Sequence, residues 1–205
     1  MQPSHLLTDP PDAPRLILAS ASPRRSVLLR KLLIPFTTVP ATVREADGTG
    51  LTGRETAMLN AHRKARTVAK SVPDALVLGA DTVVCLGTLL LGKPRDSSEA
   101  REMLEVLQGR THEVITAVCL VELRSHRERL FYDATDVTFR PLNPSQIQAY
   151  HNKIDPLDKA GAYAIQEHGE DIVAGTHGSF SNIVGLPLEM LEEELKAGWP
   201  GLFRD

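Results

Sequence analysis

From Arg15 the chain is apolar through residues 16–19, turns polar, and resumes as VLLRKLL over 27–33, a succession that predicts a strand, a loop and a helix. Val27, Leu28, Leu32 and Leu33 are expected to face the core, Pro35 to stop the helix, and residues 36–39 to form a short strand. Over 54–70 the small side chains Ala57, Ala61, Ala65 and Val68 share one stripe of a helix, leaving His62, Arg63, Lys64 and Arg66 on its other, exposed faces. ALVLGAD, 75–81, is almost wholly apolar and closes on a carboxylate, the pattern of a buried strand with Asp81 at its C-terminal end.

Further on, 83–91 reads as a hairpin across Gly87, and Asp96 with Glu99 as a capping box opening a helix that buries Ala100, Met103, Leu104 and Leu107 and stops at Gly109. HEVITAVCLVEL and LFYDATDVTF, separated by a polar turn, predict an antiparallel pair, so the sheet is mixed. Asn143-Pro144 starts a helix reaching about His151, and a last helix from Leu186 or Pro187 turns Leu188, Leu191 and Leu195 inward. The expected fold is one α/β domain over 15–205 with two lobes around a central cleft. Residues 1–14, with four prolines and two aspartates, are expected to be a flexible extension.

Composition narrows the function classes. A length of 205 residues with 42% hydrophobic and 24% charged residues is that of an ordinary globular chain, long enough to bury a core without disulfides or structural metal. The formal charge of -3 lacks the basic excess that nucleic-acid binding draws on, so an anion site here has to be local. Cys85 and Cys119 form no CxxC and read as small hydrophobes in a reducing compartment. The first residues have no basic n-region or continuous apolar stretch, and no apolar run reaches the ~18 residues of a spanning helix, which places the chain in the cytoplasm with no membrane partner.

Four segments carry candidate chemistry. In ASASPRR, 19–25, Ser22 can act as N-cap and Pro23 as the first helical residue, so the N–H groups of Arg24 and Arg25 and the helix dipole favour an anion. Ser20 and two guanidinium forks beside them suit phosphate oxygens; a capped helix with two solvated arginines is the alternative. GADT, 79–82, sets Asp81 at the mouth of an apolar strand after small residues, placed to bind a cation or orient water, or simply to cap a turn. Lys93 in LGKPRD and Lys64 become basic partners only if they converge on the same cleft. Gln166, in a stretch punctuated by glycine and proline, offers a donor and an acceptor suited to a nucleobase edge. No GxxxxGK[ST], GxGxxG or HExxH motif occurs.

Together SASPRR (20–25), GADT (79–82), GKPRD (92–96), DKAGAYAIQ (158–166) and NIVGLPL (182–188) resemble the Maf family of nucleotide pyrophosphatases, a likeness running from about Leu16 to Leu195. The resemblance implies an extended, twisted mixed sheet flanked by helices, akin to the inosine-triphosphate pyrophosphatases, and a homodimer. It implies hydrolysis of a nucleoside triphosphate to a monophosphate and pyrophosphate with magnesium or manganese. Asp81 matches the family's proton acceptor; Ser20, Arg24, Arg25, Lys64 and Lys93 match polar and phosphate-contacting positions, beside which Ser22 is a further phosphate-binding candidate; Glu45 joins Asp81 as a metal-side carboxylate. Arg24, Thr82 and Gln166 together resemble the branch acting on dTTP and UTP. Glu167 departs from the small residue usual after the Gln, and Phe180 from a common Tyr. The rival readings are a nucleotide-binding regulator of septum formation without turnover and a purine-selective pyrophosphatase.

Overall fold

The computed structural model describes residues 15–203; the expected extension, 1–14, lies outside the described residues. Seven strands form one mixed sheet. β1 (Leu16–Leu18) pairs in parallel with β2 (Phe36–Thr38) and β3 (Leu76–Leu86). From there every pairing is antiparallel: β3 with β4 (Leu89–Leu91) and β5 (Thr111–Glu122), β5 with β6 (Arg127–Phe139), and β6 with β7 (Val173–His177). The helices are α1 (Pro23–Arg30), α2 (Gly53–Ala69), α3 (Ser97–Leu107), α4 (Pro144–His151), α5 (Phe180–Val184) and α6 (Leu188–Gly198). None of the helices is long and apolar enough to cross a membrane, among the described residues.

The two-residue period of β3 distributes the core. Leu76, Leu78 and Ala80 pack with Leu28 and Leu29 of α1 and Leu191 and Leu195 of α6, while Val77, Val83 and Cys85 pack beneath the alanine stripe of α2. Farther along, Val84 and Leu91 join Leu104, Leu107, Phe139, Ile147 and Tyr150 in a third cluster under α3 and α4. β3 and β5 thus run through all three clusters of core. One edge of β3 is covered by β1 only at Leu76, Val77 and Leu78 and by β4 only at Val84, Cys85 and Leu86. Between them, 79–83 has β5 on one side and no strand on the other, among the described residues.

Gly79 lies in that gap and fixes how close α2 approaches. A Cβ there would stand 2.5 Å from the carbonyl oxygen of Ala61 and 2.6 Å from the nitrogen of Ala65, both helix backbone. Only glycine lets α2 lie directly on β3 at this point.

Several expectations need correction. Asp81 is in mid-strand, since β3 continues to Leu86 by pairing with β5 long after β1 has ended. Val27 is 56% and Leu33 90% exposed, and it is Leu28 and Leu29 that are buried. α1 stops at Arg30, so Leu33 leaves the helical phase with φ +57°. Lys64 is buried, not on an exposed face of α2. Asp96 caps α3 by accepting from the N–H groups of Ser98 and Glu99, but the Glu99 carboxylate turns back to the N–H of Arg95, so the box is not reciprocal. The reciprocal boxes are Thr52 with Glu55 on α2 and Asn143 with Gln146 on α4.

Candidate active site

The gap in the edge of β3 opens into a cleft of about 220 Å³. Nine of the ten residues singled out from the sequence line it: Ser22, Arg24, Arg25, Glu45, Lys64, Asp81, Thr82, Lys93 and Gln166. The tenth, Ser20, is buried beneath, where its hydroxyl accepts from the N–H of Ser22 and from Arg25.

Adjacent residues of a strand point to opposite faces, so Asp81 turns to α2 and Thr82 to α1 and α5. On the α2 side Asp81 Oδ1 accepts from Lys64 Nζ at 2.6 Å and Oδ2 from Asn60 Nδ2 at 3.1 Å. Lys64 also holds Glu45 Oε1 at 2.7 Å. Burial pushes the Glu45 carboxyl upward, but the hydrogen bond and charge of Lys64 outweigh it and hold the group below the ordinary carboxylate range. Asn60 is buried and ties the two carboxylates together: its Oδ1 accepts from the N–H of Ala46 at 2.7 Å, next to Glu45. Sequence reasoning missed it. The available signal was an amide one turn before Lys64 on a helix face otherwise packed with alanine.

On the opposite face Arg25 is committed to the fold. Nε donates to the carbonyl of Gly185 at 2.9 Å, Nη1 to Ser20 Oγ at 3.3 Å and Nη2 to Thr82 Oγ1 at 3.0 Å. Desolvation lowers its pKa, opposed by the charge of Asp81, although a guanidinium stays protonated throughout. Thr82 Oγ1 lies 2.9 Å from Thr116 Oγ1, whose own proton goes to the carbonyl of Asn182. Arg25 thus fixes the α1 loop, Thr82 and α5 relative to one another, in place of the outward phosphate fork the sequence led us to expect. Ser22 occupies the N-cap of α1 without a side-chain hydrogen bond to its first turn, which leaves those N–H groups to an anion.

The rim carries ions of both signs. Arg24 Nη1 holds Asp158 Oδ2 at 2.9 Å. Lys159, buried and unassigned from the sequence, donates to Asp158 Oδ1 and to the carbonyl of Asp155, each at 2.7 Å. Burial raises the Asp158 carboxyl, but its bonds to Lys159 and Arg24 bring it below the ordinary range. Gln166 Nε2 donates to Glu167 Oε1 at 3.1 Å. The unusual Glu167 is therefore in direct contact with the amide expected to read a base.

Asp81 and Glu45 are the carboxylates that could hold a divalent cation. Both reach the same ammonium nitrogen, so their hard oxygens converge within reach of one ion. Among the described residues no group of three or more His, Cys, Asp or Glu side chains is placed to hold a metal. Two carboxylates suit magnesium or manganese that takes its remaining positions from phosphate and water.

The family model described as Maf-like protein matches residues 15–198. A relative from Moorella thermoacetica is 48% identical over 181 residues, spanning 88% of this chain and 93% of the relative. One from Myxococcus xanthus is 50% identical over 177 residues, spanning 86% and 89%. Both carry the name dTTP/UTP pyrophosphatase. Among solved structures, a HAM1 protein from Coxiella burnetii aligns with a TM-score of 0.50 at 16% identity, covering 90% of this chain and 99% of that one, a likeness of fold. With the family model spanning nearly every described residue and relatives about half identical, the chain belongs to the Maf family.

Proposed function

We propose that this protein hydrolyses dTTP and UTP between the α and β phosphates, releasing the monophosphate and pyrophosphate, with magnesium or manganese as cofactor. The observation that carries the reading is the meeting, in one cleft, of a carboxylate pair on one face of β3 with Arg24, Lys93 and the uncapped start of α1. The names of the relatives support it. A bound cation would neutralise phosphate charge and polarise the reacting phosphoryl group. Asp81, held at both oxygens by Lys64 and Asn60, orients the attacking water and accepts its proton. Arg24 exchanges Asp158 for a phosphate oxygen, and with Lys93 it holds the charge that builds on the leaving pyrophosphate. Because the Glu167 carboxylate only accepts, the nitrogen of Gln166 faces it. That leaves Oε1 and the second N–H for a ring N–H and carbonyl of uracil or thymine.

The test is pyrophosphate release from a side-by-side panel of dTTP, UTP, CTP, ITP and 7-methyl-GTP with each cation. Fastest turnover of dTTP and UTP is expected. A purine preference would favour the purine-selective reading, and binding without release the regulatory one. Asp81→Asn is expected to keep the fold and lose most turnover, because charge and basicity go while shape stays; wild-type turnover in that variant rules out the assigned role. Two free, buried thiols, Cys85 and Cys119, support a reducing cytoplasmic setting. The homodimer rests on family likeness, and light scattering on the purified chain checks it.

A further inference from the structure

Lys64 occupies a place in the cleft that a phosphate ligand does not explain. Its ammonium is buried between Asp81 Oδ1 at 2.6 Å and Glu45 Oε1 at 2.7 Å, the two carboxylates best placed to hold a cation. The remaining oxygen of Asp81 is taken by Asn60, whose amide is itself locked to the backbone of Ala46. A divalent ion entering alone meets an ammonium of like charge already seated between its ligands. The helix does not supply the room, because its alanine stripe is packed in the core against β3 and β5. What can move is the four-carbon stem of Lys64, which carries a compact, freely rotating charge.

We propose that Lys64 is a resident counter-ion: it closes the Asp81–Glu45 pair to free divalent cations and yields it when a cation–triphosphate complex offers phosphate oxygens to its ammonium in exchange. This rests on the triphosphate reading of the cleft. One positive charge offsets one of the two carboxylates while the cleft is empty, which avoids leaving the buried Asp81 unpaired beside the half-exposed Glu45. When the ligand enters, the same charge transfers to the incoming phosphates, so cation and nucleotide bind cooperatively.

The proposal makes two effects opposite in sign. Manganese alone, titrated into the full-length protein and followed by the electron paramagnetic resonance of the free ion, is expected to bind Lys64→Met more tightly than wild type, within the about 5- to 150-fold range of ordinary site coupling. The manganese complex of a non-hydrolysable UTP analogue is expected to bind that variant more weakly. Equal or weaker manganese binding by the variant overturns the proposal. Because that readout uses no nucleotide, it stands apart from the turnover assays that decide the reaction itself. Should Lys64→Met not fold, the unmodified protein labelled with ¹⁵N-lysine gives the second measurement. The slowly exchanging Lys64 ammonium resonance, assigned by its loss in Lys64→Arg, is expected to persist unchanged with magnesium alone and to shift with magnesium plus the analogue. A shift with magnesium alone, or none with the complex, overturns the proposal.

Discussion

Replacing Gly79 by alanine separates the seating of α2 from every group that touches substrate. The added methyl carbon would lie 2.5 Å from the Ala61 carbonyl oxygen, 2.6 Å from the Ala65 nitrogen and 2.9 Å from the Ala65 methyl, where ordinary contact begins near 3.4 Å. These atoms belong to helix backbone or to a side chain with no rotamer to change, so relief requires α2 to retreat by about 1 Å, an overpacking cost of about 1–3 kcal/mol. Asn60 and Lys64 travel with the helix while Asp81 stays on β3. The 3.1 Å bond from Asn60 would then stretch beyond hydrogen-bonding range. Misplacement of about 1 Å in a catalytic arrangement lowers turnover about 10²-fold. Urea denaturation and steady-state pyrophosphate release from UTP measure the two effects on one preparation. We expect a lower midpoint together with a fallen kcat. Wild-type kcat alongside a lowered midpoint would show that α2 can shift without disturbing Asp81, and would refute the chain of contacts argued here.

Three further outcomes follow from individual contacts. Asn60→Ala leaves the half-buried Ala46 N–H and the buried Asp81 Oδ2 short of a partner, so stability should fall by about 1–3 kcal/mol and kcat for UTP should drop more than KM changes; a pure KM effect would place Asn60 in substrate binding instead. Gln166→Glu sets a second carboxylate beside Glu167 and removes the N–H donors. It should lower kcat/KM for UTP by about 10-fold relative to GTP, the worth of about one hydrogen bond at an exposed side chain, and an unchanged ratio means this side chain does not read the base. His112 is 2% exposed, and burial pushes its pKa down to about 4. Above pH 6.5 the imidazole is neutral in both folded and unfolded chains; as pH falls toward 4 the unfolded chain takes up the proton first, and stability should decline by about 3 kcal/mol over that window. Urea midpoints measured from pH 7 to pH 4 should fall more steeply for the wild type than for His112→Gln, and parallel curves would mean that the imidazole takes up its proton equally in the folded and unfolded chains.

What the sequence makes legible is what neighbouring residues decide among themselves. The Asn143-Pro144 start of α4 lies in its own first turn, and the alanines of α2 and the alternation of β5 and β6 announce their faces. Lys64 reads as solvated because it flanks an alanine stripe. Only a carboxylate seventeen positions away, on another element, gives it reason to be buried. Arg25 is misread for the same reason, since its partners Gly185 and Thr82 come from distant parts of the chain. Lys159 stands in a recognised segment but needs Asp155 and Asp158 folded around it before its burial makes sense. Leu33 fails differently: Pro35 announces a stop, yet the helix has already ended at Arg30, so the apolar period carries on past the structure that gave it meaning.

The misplacement of Asp81 points to why the site lies where it does. In an open α/β sheet a ligand sits beyond the carboxyl ends of parallel strands, and relative to β1 that rule holds: β1 ends at Leu18, and Ser20, Ser22, Arg24 and Arg25 follow at once. β3 runs on to Leu86 because β5 supplies an antiparallel partner along nearly all of its length. The end of β1, not the end of β3, therefore sets the depth of the cleft. A fully paired strand shows a ligand one face at a time, and Asp81 and Thr82, on opposite faces, could then never serve one molecule. With one edge bare between the last β1 pair and the first β4 pair, a ligand can lie against the strand from the side and meet both. The shortness of β1 and β4 is thus as much a part of the site as the carboxylate itself, since lengthening either strand would close the gap without altering any residue that lines it.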